Sequence, residues 1–185
     1  ALSLRLREET PLEWAETLNN LGLAYVDRLR GDRADNLEKA IAAYESALTV
    51  YQTETQPLNW VGTQNNLGLA YADRSRGDRA DTLEKAISIF EAAILAIKRD
   101  VTPLEWAGTQ LNVANTYKER LRGERADNID KMIAAYEAAL TVYTREAAPV
   151  VGATMQAQLG AAYRERVRGD RTDNLEWSIG LLEAA

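Results

Sequence analysis

Apolar residues recur at spacings of three and four along two successive segments of the chain, as expected for helices with one buried face. The first segment is predicted to form a helix over residues 11–30. On a helical wheel its packing face spans about 60° and consists of Trp14, Leu18, Leu21 and Tyr25. The second helix is predicted to end near Thr53, and its apolar positions are Leu37, Ile41, Tyr44, Ala47, Leu48 and Tyr51. The pattern predicts a helical hairpin.

This hairpin pattern repeats every 46 residues. We divide the chain into a helix tail at residues 1–10, full repeats at 11–56, 57–102 and 103–148, and a partial repeat at 149–185. Fixed periods of about 20 to 50 residues are typical of solenoids, in which neighbouring repeats bury each other's apolar faces. The predicted fold class is therefore all-α, a solenoid of helix-turn-helix repeats in a single array. Because both ends stop within a repeat, we expect a fragment of a longer chain.

A small residue lies beside the packing face of each first helix. The four residues are Gly22, Gly68, Ala114 and Gly160. We expect them to let the second helix of the repeat come close, so that a bulkier side chain would overpack the contact by about 1 to 3 kcal/mol.

Capping patterns predict where the helices begin and end. Thr10-Pro11-Leu12-Glu13 has the form of a capping box, and Gln56 and Ala148 replace the threonine in two other repeats, which predicts weaker starts there by about 1 kcal/mol. Gly31 is predicted to stop the first helix in a left-handed conformation directly after Arg30. Asp35-x-x-Glu38 is predicted to cap the second helix.

Composition excludes several kinds of chemistry. The chain has no cysteine and no histidine, which excludes disulfides, thiolate nucleophiles, histidine acid–base catalysis and the usual zinc ligands. Its net charge of −6 and the absence of a basic stretch argue against nucleic acid as a partner. No segment has the length and apolarity of a membrane span, so a cytoplasmic location is the default. We expect no metal, no cofactor and no enzymatic activity.

The residues at equivalent positions of the 46-residue repeats resemble the tetratricopeptide repeat. Leu21-Gly22-x-x-Tyr25, then Ala40-x-x-x-Tyr44-x-x-Ala47, then Pro57 match that family's pattern of small and large positions. The period exceeds the family's usual length of about 34 residues, and in this the chain is similar to kinesin light chain. The segments 60–64 and 77–80 resemble a bacterial, largely cyanobacterial, type of this repeat. The resemblance implies a right-handed superhelix that binds a protein or linear peptide in its concave groove.

The resemblance places the groove on the side of the first helices opposite the packing face. Asn20, Asn66 and Asn112 stand where the family's groove asparagines hold a ligand backbone, a task that suits an amide because it both donates and accepts hydrogen bonds. The predicted partner-binding residues are Asn19, Asn20, Leu23, Asp27, Asn65, Asn66, Leu69, Asp73, Asn112, Asn115, Lys118, Glu119, Gln158 and Arg164. The alternative is that these asparagines hydrogen-bond to adjacent helices and set the superhelix pitch.

The turn between the helices carries Arg-Gly-Asp/Glu-Arg in every repeat. Although Arg30-Gly31-Asp32 spells an integrin-binding tripeptide, a helix stop explains the glycine. We expect acids of the same or the next repeat to pair with Arg33, Arg79, Arg125 and Arg171. Such exposed pairs contribute about 0 to 1 kcal/mol each. The turn is therefore predicted to have a structural role.

Taken together, these patterns predict a non-catalytic module that binds a peptide or partner protein. Lys118 and Arg164 replace apolar residues of earlier repeats, so an acidic end of the ligand would lie toward the C-terminal half. Two alternatives stay open. One is a structural solenoid that associates with itself end to end, and the other is a sensor arm of an enzyme domain outside residues 1–185.

Overall fold

Two kinds of helix alternate along the computed structural model, which describes residues 7–185 of the chain. Each first helix begins at the proline of its repeat, and each second helix begins at the last arginine of the turn. The helices are α1 Pro11–Val26, α2 Arg33–Ala47, α3 Pro57–Ala72, α4 Arg79–Ala96, α5 Pro103–Glu119, α6 Arg125–Leu140, α7 Pro149–Glu165 and α8 Arg171–Ala184. Residues 7–9 are also helical, and the rest of the predicted tail at 1–10 lies mostly outside the described residues.

No strand occurs in residues 7–185, and the predicted fold class, an α-solenoid of helix-turn-helix repeats, is confirmed. The chain divides into an N-terminal unit, Ala1–Ile97, and a C-terminal unit, Lys98–Ala185. The N-terminal unit contains α1 to α4 and the C-terminal unit contains α5 to α8. Within each unit, two helical hairpins pack side by side.

The two helices of a hairpin approach closely at the predicted small residue. A Cβ atom on Gly22 would lie 2.4 Å from Tyr44 Cε1, and a Cβ atom on Gly68 would lie 2.4 Å from Phe90 Cε1. Both aromatic rings are fully buried. The prediction that these glycines admit the second helix is therefore confirmed.

The predicted packing face is wrong at Leu21, whose side chain is 42 % exposed. Its counterparts Leu67, Val113 and Leu159 are buried. Leu67 lies in one cluster with Leu37 and Ala40 of the preceding repeat. The residue at this position of the repeat thus packs against the preceding repeat. Ahead of α1, the structure describes only residues 7–10. A helical wheel cannot distinguish that contact from a contact inside the hairpin.

The first helix ends at Val26, four residues before the predicted end at Arg30. The reason is that two side chains take up carbonyl groups where the helix would continue. The Arg33 guanidinium donates to the carbonyl of Val26, and the buried Asn36 amide donates to the carbonyl of Arg30 at 3.1 Å. Gly31 has a φ of 89°, so the left-handed conformation is confirmed, although it lies inside the turn and not directly after the helix.

The predicted cap of the second helix is wrong by three residues, because the N-cap is Asp32 and not Asp35. Asp32 has an extended backbone, and its carboxylate accepts a hydrogen bond from the Asp35 N–H at 2.8 Å. Asp78 and Asp170 make the equivalent bonds, whereas Glu124 makes none. Asp35 is already helical, so its side chain cannot cap the same helix.

The predicted capping boxes at the first helices are also wrong. Thr10 and Thr102 make no side-chain capping bond, and neither do Gln56 and Ala148. The four residues share nearly the same backbone conformation, with ψ between 56° and 72°. These ψ angles are well below those of the extended backbone that directs an N-cap side chain toward the first N–H groups of the helix. The expected difference between the threonine starts and the other two therefore has no basis.

The second helix ends at Ala47 and not near Thr53. The N–H groups of Val50 and Tyr51 both reach back to the carbonyl of Ala47, at 3.0 and 3.2 Å, which tightens the chain into a turn. This turn brings the Tyr51 ring into a buried cluster with Ala15 and Ala47. The aromatic residue continues the apolar pattern without continuing the helix.

Helix α3 contains two glycines that provide a matched test of the close approach. We expect Gly68→Ala to lower the free energy of unfolding by about 1 to 3 kcal/mol, because its Cβ would overlap the Phe90 ring. Gly62 is exposed with open space around a Cβ, so Gly62→Ala should raise stability by about 0.5 to 1 kcal/mol through helix propensity. Urea denaturation of both variants measures the difference. Equal effects would contradict the packing argument.

The helix caps predict a pH-dependent difference between Asp170→Ala and Glu124→Ala. The backbone N–H groups of Asp173 and Thr172 hold the pKa of the Asp170 carboxyl below its ordinary value. A lowered pKa stabilises the fold above the unfolded value of about 3.9, and this contribution is lost as the pH falls further. We expect Asp170→Ala to lower the melting temperature at neutral pH, with the difference from wild type shrinking in acid.

Thermal denaturation followed by circular dichroism, from about pH 7 down to about pH 2, tests this. Glu124→Ala is the matched control, because Glu124 occupies the same position in its repeat without capping. A melting temperature lowered equally in both variants would show that the Asp170 bonds contribute nothing specific.

Candidate binding surface

In the N-terminal unit, the predicted binding residues form an exposed line on each first helix. Asn20 and Leu23 lie on α1, Asp27 directly follows this helix, and all three are exposed. Leu69 on α3 and Asp73, directly after α3, are exposed in the same positions. The Leu23 and Leu69 side chains are 39 % and 47 % exposed, so each helix presents one apolar side chain next to a carboxylate.

Two of the predicted asparagines in this unit bond to each other. Asn66 Nδ2 donates to Asn19 Oδ1 at 3.2 Å, and the hydroxyl of the buried Thr63 donates to the same oxygen at 3.2 Å. These bonds join α1 to α3. They agree with the alternative interpretation, in which the asparagines hydrogen-bond to adjacent helices. Asn20, in contrast, is exposed, and Asn65 is half-buried. Sequence reasoning missed Thr63, for which the recurrence of threonine at Thr17 and Thr109 gives the only signal.

In the C-terminal unit, a tyrosine connects two predicted residues. The Tyr136 hydroxyl donates to Asn115 Oδ1 at 2.7 Å and also lies within hydrogen-bond distance of Gln158 Oε1. Burial raises the pKa of Tyr136 to about 12, so the hydroxyl keeps its proton at neutral pH. Tyr136, on α6, thereby connects Asn115 on α5 to Gln158 on α7.

The remaining predicted residues of the C-terminal unit are mostly charged. Lys118 and Arg164 lie exposed in the last turns of α5 and α7, and Glu119 is exposed beside Lys118. Asn112 is half-buried. This unit therefore presents two exposed cations where the N-terminal unit has Val26 and Ala72.

The turn arginines form ion pairs between repeats. Arg33 pairs with Asp73 of the next repeat at 3.7 Å, as expected. Arg74 and Arg76 instead pair with acids of the preceding repeat. In the N-terminal unit, Arg74 makes a two-point contact with Glu38 at 2.7 and 2.9 Å. Arg76 contacts Asp35 at 2.6 Å, and the Tyr71 hydroxyl donates to Glu45 at 2.9 Å. Burial, and then the bond to Glu45, raise the pKa of Tyr71 to about 12, which keeps this donor protonated.

The C-terminal unit repeats this arrangement. Arg166 contacts Asp130 at 2.8 Å, and Arg168 contacts Asp127 at 2.6 Å. The Tyr163 hydroxyl donates to Glu137 at 2.5 Å. We call this set of one tyrosine and two arginines on three carboxylates the repeat joint. It links the start of each turn to the second helix of the preceding repeat in the same unit.

Within the part of the chain that the structure describes, no cluster of acidic side chains is arranged to hold a metal ion. In the same residues, no helix combines the length and apolarity needed to cross a membrane.

Comparison with known families agrees with this helical-repeat architecture. The family model described as tetratricopeptide repeat matches residues 14–49 and 60–94. The two matches begin at equivalent tryptophans, Trp14 and Trp60, and each covers one hairpin of the N-terminal unit. They support a tetratricopeptide-repeat array, and such repeats are in general protein–protein interaction modules. No curated protein matches the chain.

The repeat joint predicts unequal coupling in two ion pairs of the N-terminal unit. Arg74 and Glu38 are only 31 % exposed and meet at two points, so a double-mutant cycle to alanine should give a coupling of about 1 kcal/mol. Arg33 and Asp73 are more than half exposed and lie 3.7 Å apart, so their coupling should be about zero. Chemical denaturation measures both cycles. Equal couplings would contradict a specific role for the two-point contact.

Proposed function

We propose that this chain is a non-catalytic interaction module that binds a linear peptide, free or as part of a partner protein, on the exposed face of its first helices. The observation that carries this proposal is the exposure of two equivalent sets of residues. Asn20 and Leu23 lie on α1 with Asp27 directly after it, and Leu69 lies on α3 with Asp73 directly after it. Apolar side chains placed next to an available amide provide both contact area and backbone recognition. The long period and the segment 60–64 favour the kinesin-light-chain-like bacterial type of repeat.

In the N-terminal unit, Asn20 is the residue that supports backbone recognition best. Its amide is exposed, whereas one N–H of Asn66 is already donated to Asn19. The oxygen of Asn66 keeps a lone pair with which to accept a hydrogen bond from a ligand. A peptide on this face would place an apolar side chain against Leu23 and Leu69 and a polar or basic group near Asp27 and Asp73.

In the C-terminal unit, the exposed cations favour acidic groups of a ligand. Lys118 and Arg164 would attract acidic side chains or a carboxylate terminus, and this attraction should weaken as salt is added. Asn115 and Gln158 already bond to Tyr136, so we assign them to holding α5 and α7 in place more than to backbone recognition.

The test begins with selection of binders from a library of random peptides of about 12 residues, displayed on phage and panned against the 185-residue chain. Each selected peptide is then synthesised and titrated against Leu23→Asp and Leu69→Asp. We expect each substitution to weaken binding at least about tenfold, because it places a charge in the apolar contact.

Leu29→Asp is the matched control, because Leu29 is fully exposed in the turn of the same repeat and lies off this face. It should change the affinity by less than about twofold. Selection of no binding peptide, or peptides that bind Leu23→Asp and Leu69→Asp as tightly as wild type, would overturn the proposal. Circular dichroism of each variant confirms that the helices are intact.

A further inference from the structure

Asn19 and Asn66 share one hydrogen-bonded network with Thr63, between α1 and α3 of the N-terminal unit. The Thr63 hydroxyl and Asn66 Nδ2 both donate to Asn19 Oδ1, each at 3.2 Å. Thr63 is only 1 % exposed, whereas both asparagines are half-buried. A carbonyl oxygen has two lone pairs, so these two donors occupy the Asn19 oxygen fully. The orientation of the Asn19 amide is therefore fixed by its two neighbours.

The occupied oxygen leaves Asn19 with nothing but donors to offer. Its Nδ2 carries two N–H groups, and in the part of the chain that the structure describes neither has an acceptor. Asn66 differs, because it gives one N–H to Asn19 and its carbonyl oxygen can still accept. The exposed Leu23 lies one turn after Asn19 on α1, and the exposed Leu69 lies one turn after Asn66 on α3. The network thus presents a donor on α1 and an acceptor on α3, both close to the proposed apolar contact.

The C-terminal unit has different residues at the positions of this network. Leu111, Met155 and Gln158 replace Asn19, Thr63 and Asn66. Neither Leu111 nor the buried Met155 has a side-chain N–H or O–H, and Gln158 lies within hydrogen-bond distance of Tyr136. Of the two units, only the N-terminal one therefore combines a fixed amide donor with a neighbouring acceptor.

We propose that Asn19 binds a backbone carbonyl of the peptide ligand through its N–H groups, and that Thr63 is the positioning residue that keeps these groups toward the ligand. This inference rests on the proposed function and adds a chemical polarity to it. In an extended peptide, the C=O and the N–H of one residue point to the same side, so the ligand offers an acceptor for Asn19 and a donor for Asn66. Without the Thr63 hydroxyl, the Asn19 amide can turn over and present its oxygen, which repels a carbonyl.

Asn19→Asp separates ligand recognition from the structural role of this side chain. A carboxylate still accepts the bonds from Thr63 and Asn66, but it has no N–H to donate. We expect this variant to bind the phage-selected peptides at least about fivefold more weakly by isothermal titration, because one hydrogen bond to the ligand is lost. Its urea midpoint of unfolding should change little. If Asn19 served only to join α1 to α3, the substitution would leave the affinity unchanged.

Gln52→Glu is the control for the added charge. Gln52 is exposed in the loop between α2 and α3, and its substitution makes the same change from amide to carboxylate in the same unit. All titrations are made in about 0.5 M salt, which screens charges at the surface. We expect Gln52→Glu to change the affinity by less than about twofold.

Two substitutions at position 63 test the positioning role. Thr63→Ser keeps the hydroxyl and should bind like the wild type, whereas Thr63→Val keeps nearly the same shape and should bind about threefold more weakly. A role in packing alone predicts the opposite order. Thr17→Val is the matched control, because Thr17 has the same position in α1 and its hydroxyl donates to the Glu13 carbonyl of its own helix at 2.8 Å. It should bind like the wild type.

The combination of Thr63→Val with Asn19→Asp is the sharpest arm of the test. The two oxygens of a carboxylate are alike, so a carboxylate has no orientation for Thr63 to fix. Thr63→Val should therefore weaken binding in the presence of Asn19 and cost nothing more when combined with Asn19→Asp. Circular dichroism and urea denaturation of each variant confirm that the fold is intact.

Four outcomes would overturn the inference. The first is Asn19→Asp that binds the selected peptides as tightly as wild type, and the second is Gln52→Glu that weakens binding as much as Asn19→Asp. The third is Thr63→Val that binds like wild type, and the fourth is an equal cost of Thr63→Val with and without Asn19→Asp. If Leu23→Asp and Leu69→Asp still weaken binding in any of these cases, the proposed function stands and only the inference fails. Selection of no binding peptide would overturn both.

Discussion

The structure depends on how the short turn of each repeat closes two helices at once. A helix leaves carbonyl groups without partners at one end and N–H groups at the other, and a tight hairpin brings both kinds of end into the same few residues. In the first repeat, Arg33 takes the carbonyl of Val26, and Asp32 takes the N–H of Asp35. Gly31 supplies the left-handed backbone that lets the chain pass between these two caps.

The same turn also determines how repeats join. Arg76 and Arg168 reach the acids of the preceding repeat in their units. In the second and fourth repeats, each residue of Arg-Gly-Asp-Arg thus has a structural task. The exposed residues without such a task, Asn20, Leu23 and Leu69 among them, lie on the first helices. For this reason we place ligand binding on the first helices and assign the turn to joining the repeats.

The sequence predicted the hairpins, the glycine contacts and the left-handed turn because each depends on one residue and its near neighbours. It failed where the backbone conformation, and not the residue type, decides whether a side chain can cap a helix. The Thr10 capping box was wrong because the backbone before the proline does not aim the side chain. The Asp35 cap was wrong because the helix already begins at Arg33, with Asp32 as its N-cap, so Asp35 lies inside the first turn. The hydrogen bond from the buried Asn36 amide to the carbonyl of Arg30 in the turn was not predicted, although asparagine recurs at Asn128 and Asn174 and makes the same bond there.

The candidate binding surface was predictable only in outline. The wheel separated the exposed side of the first helices from the buried side, and Leu23 and Leu69 are exposed as expected. It could not show that Asn66 would turn toward Asn19, or that Tyr136 would lie between Asn115 and Gln158. These contacts join residues on different helices, so they depend on how the hairpins pack.

Amide hydrogen exchange at the starts of the second helices tests the role of the turn most directly. The N–H groups of Asp35, Asp81 and Asp173 bond to the carboxylates of Asp32, Asp78 and Asp170, whereas Glu124 offers no such bond to Asp127. Corrected for their unfolded-chain rates, the first three amides should exchange at least about tenfold more slowly than the Asp127 amide. Equal exchange at all four positions would contradict the account of the turn as a double cap.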